Sequence, residues 1–147
     1  MNKLLIDADG CPVVVIAVRI ARQRSIECLI LCDTAHEFSK PGARTITVSK
    51  GADSVDFVLV NLVQKSDVVV TQDYGLAAMC LARSAVPINQ NGMVYTNENI
   101  DALLHQRHAA QKIRRGGGWL KGPPKRGAEQ DRAFESALTV ILERPIE

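Results

Sequence analysis

Carboxylates follow two apolar segments of this sequence at the points where each segment ends. Leu4-Leu5-Ile6 is followed by Asp7-Ala8-Asp9, and Val68-Val69-Val70-Thr71-Gln72 is followed by Asp73. If both segments are parallel strands of one sheet, the three aspartates lie at its carboxyl edge, where open α/β sheets bind ligands. Crowded carboxylates repel one another unless a hard cation lies between them. The pattern therefore predicts a divalent-metal site suited to phosphate chemistry.

Two further aspartates, Asp53 and Asp56, lie near the predicted start of a helix and share one helical face. Asp53 is equally compatible with a role as a helix cap, whereas Asp67 is interpreted as a turn residue before its strand. A cluster of about three to five carboxylates around one or two Mg²⁺ or Mn²⁺ ions suits phosphodiester hydrolysis. A bound metal generates hydroxide from water and stabilises the attacking and leaving oxygens.

Alternating strands and helices must position these carboxylates. Apolar runs and turn signals predict strands over 3–7, 27–32, 44–48, 67–72 and 86–88. They predict helices over 13–24, 53–64, 75–84, 97–115 and 130–143, with Asn97 as an N-cap. This order predicts the α/β class, as a three-layer α/β/α sandwich with a mostly parallel central sheet. A length of 147 residues favours one domain over 1–147.

Positive charge is concentrated in the last third of the chain. The net charge is only +2, but residues 102–128 include no acidic residue and end in a Gly- and Pro-rich basic loop at 114–128. Lys and Arg neutralise phosphates, and glycines let backbone amides approach them. The loop therefore predicts contact with RNA; the alternative is a solvated loop with Trp119 in the core. The predicted substrate-binding residues are Thr71, Arg114, Arg115, Lys121, Lys125 and Arg126.

The expected compartment is the cytoplasm. The start of the sequence does not have the pattern of a signal peptide, and no apolar run approaches the ~20 residues that span a bilayer, so we expect no membrane association. The four cysteines are expected to be free thiols.

Several motifs together resemble the uncharacterised bacterial YaiI/YqxD family. They keep their order along the chain and are Asp7-Ala8-Asp9-Gly10-Cys11-Pro12, Gly51-Ala52-Asp53-Ser54-Val55-Asp56-Phe57, Val70-Thr71-Gln72-Asp73-Tyr74-Gly75-Leu76-Ala77, Asn89-Gln90-Asn91-Gly92, Tyr95-Thr96-Asn97-Glu98-Asn99-Ile100-Asp101 and Lys121-Gly122-Pro123. Gly10 departs from the usual Ala, which is a small change in a tight turn.

That family is grouped with PIN-like nuclease folds, including the NYN type. The resemblance therefore implies a PIN-like α/β/α sandwich with an acidic, metal-binding crevice. It implies that Asp7, Asp53 and Asp73 hold Mg²⁺ or Mn²⁺ and that Asp9 or Asp56 orients water. The family itself has no established activity.

Three functions follow from these residues. The first is a metal-dependent ribonuclease whose basic segment grips the RNA backbone. The second is a non-catalytic RNA or nucleotide binder on the same scaffold, which would show salt-dependent binding without turnover. The third is a phosphatase of the haloacid-dehalogenase type, with Asp7 as the nucleophile and Asp9 as the general acid.

Overall fold

The computed structural model describes residues 2–33, 40–49, 54–117 and 125–143, in which strands alternate with helices. The strands are β1 (Leu4–Asp7), β2 (Cys28–Asp33), β3 (Arg44–Val48), β4 (Val68–Val70) and β5 (Val86–Ile88). The helices are α1 (Val14–Gln23), α2 (Val55–Leu62), α3 (Tyr74–Ala82), α4 (Asn97–Arg115) and α5 (Ala128–Glu143). The predicted α/β class is confirmed. No helix within the described residues is long and apolar enough to span a bilayer.

The strands form one sheet in the order β3-β2-β1-β4-β5, and every pair in this order is parallel. The sheet is thus wholly parallel, where the sequence predicted a mostly parallel one. From β1 the chain adds β2 and β3 on one side, and then returns to add β4 and β5 on the other. This change of direction leaves a crevice outside the carboxyl ends of β1 and β4, the usual ligand position in such sheets.

Helices cover both faces of the sheet, which gives the predicted three layers. Leu4 and Ile6 of β1 pack in the cluster that includes α1 and α5, whereas Leu5 packs in the cluster that includes α2 and α3. This division follows from the two-residue period of a strand. Because β1 is buried on both sides, it is a continuous apolar run rather than an alternating one. Helix α4 lies outside α3, where Ile100 packs with Ala77.

Asp67 links the segments that precede β1 and β4 at the amino edge of the sheet. Strand β4 is shorter than predicted, and Asp67 lies in the turn before it, with only 1 % of its surface exposed. Its carboxylate accepts hydrogen bonds from the backbone N–H of Lys3 at 3.0 Å and of Gln64 at 2.8 Å, and pairs with Lys3 Nζ at 2.6 Å. These partners satisfy a buried charge, as burial requires. The interpretation of Asp67 as a turn residue is confirmed.

Two predicted helix starts are corrected by the observed caps. The N-cap of α2 is Ser54, whose side chain accepts the Phe57 N–H at 3.2 Å, one position after the alternative cap Asp53. Asp53 itself lies outside the described residues. At α4 the cap is Thr96 rather than Asn97, because Thr96 and Asn99 each accept the backbone N–H of the other, at 3.1 Å and 2.9 Å. Reciprocal bonds of this kind satisfy two donors that the helix leaves open.

Candidate functional site

A crevice of about 640 Å³ opens at the carboxyl edge of the sheet, at the change of direction between β1 and β4. Its described lining is strongly acidic, and Arg107 of α4 is the one cation among these lining residues. The carboxylates that line it are Asp7, Asp9, Asp33, Asp56 and Asp73. The structure therefore brings four of the five predicted acidic residues to one crevice.

Asp7 ends β1, and Thr71 holds its carboxylate in place. The Thr71 hydroxyl donates to Asp7 Oδ2 at 2.8 Å and accepts the backbone N–H of Asp73 at 3.0 Å. The hydroxyl of the buried Tyr95 donates a hydrogen bond to the Thr71 carbonyl at 3.2 Å. Thr71 was predicted to contact substrate, but it is 1 % exposed, and its hydroxyl already donates one hydrogen bond and accepts another within the protein. Its position supports Asp7 and Asp73 instead.

Asp73 is fixed by the start of α3. Its Oδ1 accepts the backbone N–H groups of Gly75 at 2.8 Å and Leu76 at 3.2 Å, which makes it the N-cap of the helix. Arg107 Nη1 lies 3.7 Å from the same oxygen. The side chain is 37 % exposed, so it is held in place and still open to the crevice. Asp73 thus has a capping role in addition to its place in the crevice.

Burial and the charges of neighbouring carboxylates raise the pKa values of two residues in the crevice. Burial raises the pKa of Asp7 to about 6, against the opposing hydrogen bond from Thr71, and the charges of Asp56, Asp73 and Asp9 raise it further. The pKa of Asp56 is raised by burial, then by the charge of Asp73 and a hydrogen bond with its carboxyl group, while Arg107 opposes the shift. Burial and the neighbouring negative charges therefore both oppose ionisation of these two carboxyl groups.

Asp9 has a different local environment from Asp7. Its Oδ2 accepts the backbone N–H of Asp33 at 3.0 Å, which joins the turn after β1 to the end of β2. The two carboxylates therefore lie in one crevice but are held by different elements: Asp7 by the segment after β4, and Asp9 by β2.

The donor chemistry of the crevice fits a hard divalent cation, because its carboxylate oxygens are the preferred ligands of Mg²⁺ and Mn²⁺. Within the described residues no group of three or more Asp, Glu, His or Cys is set closely enough to hold a metal as it stands. Asp7, Asp56 and Asp73 are close enough that, in addition to burial, the charge of Asp73 raises the pKa of both other carboxyl groups. The predicted ligand Asp53 is outside the described residues.

Among the described basic residues that were predicted to bind substrate, Arg126 has partners within the fold. Arg126 is held at the carboxyl edge by Asn91 Oδ1 at 2.7 Å, the Gln90 carbonyl at 2.7 Å and Asp131 Oδ1 at 2.8 Å. It therefore joins the turn after β5 to the start of α5. Arg115 and Lys125 are exposed. Lys121 and Trp119 lie outside the described residues, as does the side chain of Arg114.

Replacing Arg126 by alanine is expected to lower the free energy of unfolding by about 2 kcal/mol, because three hydrogen bonds from one guanidinium are lost at a partly exposed position. Urea unfolding measures the loss. Lys125→Ala is the control and should change stability by no more than about 0.5 kcal/mol, as for an exposed side chain without such partners. Equal stability of the two variants would contradict the joining role.

Arg107 is the main residue of the crevice that was not among the predicted site residues. Its position follows from the buried stripe of α4, since Ile100, Leu103 and Leu104 pack toward α3 and residue 107 continues that stripe by one turn. The signal was an arginine at the next position of an apolar helix face. That signal becomes informative only when α4 is known to pack on α3 beside Asp73.

Known proteins resemble this chain along nearly its whole length. The profile of the "Uncharacterized BCR, YaiI/YqxD family" matches residues 5–144. A UPF0178 protein of Exiguobacterium sibiricum is 54 % identical over 140 residues, which cover 95 % of this chain and 96 % of that protein. A UPF0178 protein of Ruminiclostridium cellulolyticum is 48 % identical over 140 residues, covering 95 % and 92 %. No solved structure matches with statistical significance. The chain therefore belongs to the YaiI/YqxD family of uncharacterised bacterial proteins.

Proposed function

We propose that the acidic crevice is the active site of a ribonuclease that depends on Mg²⁺ or Mn²⁺. The observation that supports this most is the convergence of Asp7, Asp56 and Asp73 at the change of direction of a parallel sheet. Burial, and then the negative charges of neighbouring carboxylates, raise the pKa of Asp7 and of Asp56, which is a cost to the folded protein unless it serves a ligand. A cation between them would offset the repulsion.

In this proposal Asp7 and Asp73 hold the cation, together with Asp53 as the family resemblance implies. A bound divalent cation supplies Lewis-acid stabilisation and lowers the pKa of water. Thr71 orients Asp7 through its hydroxyl, and the first turn of α3 orients Asp73. Asp56 accepts the proton of the attacking water at a carboxylate oxygen, a role that suits a carboxyl group with a raised pKa.

RNA is the proposed substrate because the chain places positive charge beside the acidic crevice. Arg107 lines the crevice, and the exposed residues that follow it on α4 lie in the stretch without acidic side chains. Cations next to a carboxylate site bind the phosphates on either side of a scissile bond, where they neutralise the backbone. The PIN-like grouping of the family agrees with this substrate class.

The phosphatase alternative is less well supported by the geometry. A general acid in that reaction must lie free to protonate the leaving group, and Asp9 Oδ2 instead accepts the backbone N–H of Asp33. The non-catalytic binder has one observation in its favour, since the described residues do not include a metal set that is already in place. The two alternatives predict different outcomes of one assay.

The test is to incubate the purified protein in Mn²⁺ with each of three substrates in turn: single-stranded RNA, tRNA and a generic phosphomonoester. We expect cleavage of RNA that stops on addition of EDTA and resumes when Mn²⁺ is restored. Binding of RNA without any cleavage would favour the binder, and turnover of the phosphomonoester alone would favour the phosphatase. Cleavage that persists in EDTA would contradict the role of the cation.

A further inference from the structure

Helix α4 extends past the carboxyl edge of the sheet. Ile100 packs against Ala77 inside α3, whereas Arg107, two turns later, lies beside Asp73 at the start of α3. The two helices are therefore antiparallel, and the part of α4 after Arg107 continues beyond the first residue of α3. From Arg107 to Arg115 this part spans about 12 Å at ~1.5 Å per residue. We call residues 107–115 the α4 arm.

The α4 arm is basic and exposed. Arg107 is 50 % exposed, and His108, Lys112 and Arg115 are also exposed. No acidic residue occurs between 102 and 128, and the two acidic residues of α4, Glu98 and Asp101, both precede the arm. A long helix that leaves the body of a domain with one sign of charge is an electrostatic footprint for a polyanion.

The charges of the arm are aligned with the crevice. Arg107 lines the crevice, and Gln111 and Arg115 follow at intervals of four residues, which keeps them on the same side of the helix. Lys112 lies on the adjacent stripe. The arm is about 12 Å long, so a strand of nucleic acid that lies along it can contact it with more than one phosphate.

The dimensions of the crevice favour a single strand. A volume of about 640 Å³ is in the range that accommodates a drug-sized molecule, and hence a nucleotide or two rather than a duplex. A single strand can place one phosphate in the crevice and continue along the arm. The contacts would be electrostatic and independent of base sequence.

We propose that the α4 arm binds the sugar–phosphate backbone of a single-stranded polynucleotide, with Arg107 on the phosphate next to the carboxylates and Lys112 and Arg115 on the phosphates that follow. The position of the reacting phosphate rests on the proposed function, but binding to the arm does not need cleavage. Arg107 is then shared: it faces Asp73 in the free protein and contacts phosphate in the complex.

The test measures binding of a fluorescent 12-nucleotide RNA by anisotropy in EDTA, over a series of salt concentrations. We compare Arg107→Ala and the double variant Lys112→Ala/Arg115→Ala with the unchanged protein. The double variant is expected to bind about tenfold more weakly at low salt. The slope of log affinity against log salt is expected to fall by about 0.7 for each phosphate contact removed, that is by about 0.7 and about 1.4 for the two variants.

The matched control is Lys65→Ala/Arg83→Ala, which removes two exposed cations at the turns before β4 and β5, on the opposite edge of the sheet. It changes the net charge as much as the double variant, so it separates a local contact from a general effect of charge. If it weakens binding as much as the arm variant, or if the arm variants keep the original salt slope, the inference is wrong. Binding to anionic lipid vesicles in preference to the oligonucleotide would also overturn it.

Two further measurements distinguish this inference from the proposed function. DNA of the same sequence distinguishes recognition of the backbone alone, with equal affinities expected, from recognition of RNA; both outcomes support a polynucleotide site if the arm variants weaken them. In Mn²⁺, the double variant is expected to raise KM more than it lowers kcat. If the arm variants lose binding and the unchanged protein cleaves nothing, the binding role of the arm is supported and the nuclease proposal is contradicted. If the arm variants bind and cleave RNA normally, the nuclease proposal is supported and the binding role of the arm is contradicted.

Discussion

Replacement of Asp73 by asparagine is expected to lower Mn²⁺-dependent cleavage of RNA by about 10³-fold, with the fold intact. Asparagine is as good an N-cap as aspartate, so its side-chain oxygen can still accept the N–H groups of Gly75 and Leu76. The negative charge is lost, and with it one proposed ligand of the cation and one neighbour of Asp56. The magnitude corresponds to a group that acts in the reaction itself rather than in substrate binding.

The cleavage rate of this variant is compared with that of Asp101→Asn. Asp101 is an exposed carboxylate on α4, outside the crevice lining, and its replacement should leave the rate within about twofold. Thermal unfolding of both variants checks that α3 remains folded. A rate for Asp73→Asn close to that of the control would contradict a role for Asp73 in the chemistry and would favour the non-catalytic binder.

The sequence was sufficient to predict the elements because the central strands β1, β2 and β4 are continuous apolar runs and turn residues separate the elements. β3, β5 and α4 have the predicted bounds, since apolar runs and turn residues mark them directly. Strand β4 was overextended to Gln72 because Thr71 continues the β-branched run; in the structure its side chain bonds Asp7 and its chain turns to cap α3. Side-chain hydrogen bonds of this kind depend on two segments that are distant in sequence.

The candidate site was predictable in part for the same reason. Asp7 and Asp73 follow strands, so their meeting at one edge could be inferred from topology alone. Arg107 and the joining role of Arg126 could not, because each depends on a helix packing against a particular neighbour. A basic residue in a Gly-rich segment has the same sequence signal whether it is solvated or, like Arg126, donates hydrogen bonds to a turn of the protein. That signal predicts a phosphate contact in both cases.

The carboxylates of the crevice and the cations of α4 are therefore held in different ways. The carboxylates are fixed by strand ends and helix caps, which hold them close together despite their repulsion. The cations follow on α4, of which Ile100, Leu103 and Leu104 in the first half pack against α3, whereas Arg107, Lys112 and Arg115 are exposed. Rigid placement suits groups that hold a cation, and an exposed helix suits contacts with a backbone that has no fixed conformation.

Replacement of Asp7 by asparagine is expected to stabilise the metal-free protein at pH 8, although it removes a residue proposed to act in the site. The folded protein holds the pKa of Asp7 at about 6, above the ordinary value of 3.8. For a carboxyl group with a raised pKa, the folded state binds more protons than the unfolded state between these values. Stability from this group is therefore present at low pH and is lost as pH rises from about 4 to about 6. The full loss at pH 8 is about 2–3 kcal/mol.

Asparagine does not carry this charge, but its amide oxygen can still accept the Thr71 hydroxyl. The variant should therefore exceed the unchanged protein in free energy of unfolding by about 2–3 kcal/mol at pH 8 and match it at pH 4, in urea titrations with EDTA. Asp101→Asn should change stability by less than about 0.5 kcal/mol at either pH. A variant that is less stable than the unchanged protein at pH 8 would show that the Asp7 charge is compensated within the fold.

The same pair of proteins also tests the cation without any substrate. A cation that binds only the folded protein stabilises it in proportion to the logarithm of its concentration over its dissociation constant. Mn²⁺ should therefore raise the unfolding temperature of the unchanged protein at pH 8 and have much less effect on Asp7→Asn. If Asp7→Asn is more stable in EDTA and also unresponsive to Mn²⁺, the charge that destabilises the free protein is the charge that binds the cation. If both proteins respond equally to Mn²⁺, the cation binds elsewhere and the proposed site is wrong, whatever the cleavage assay gives.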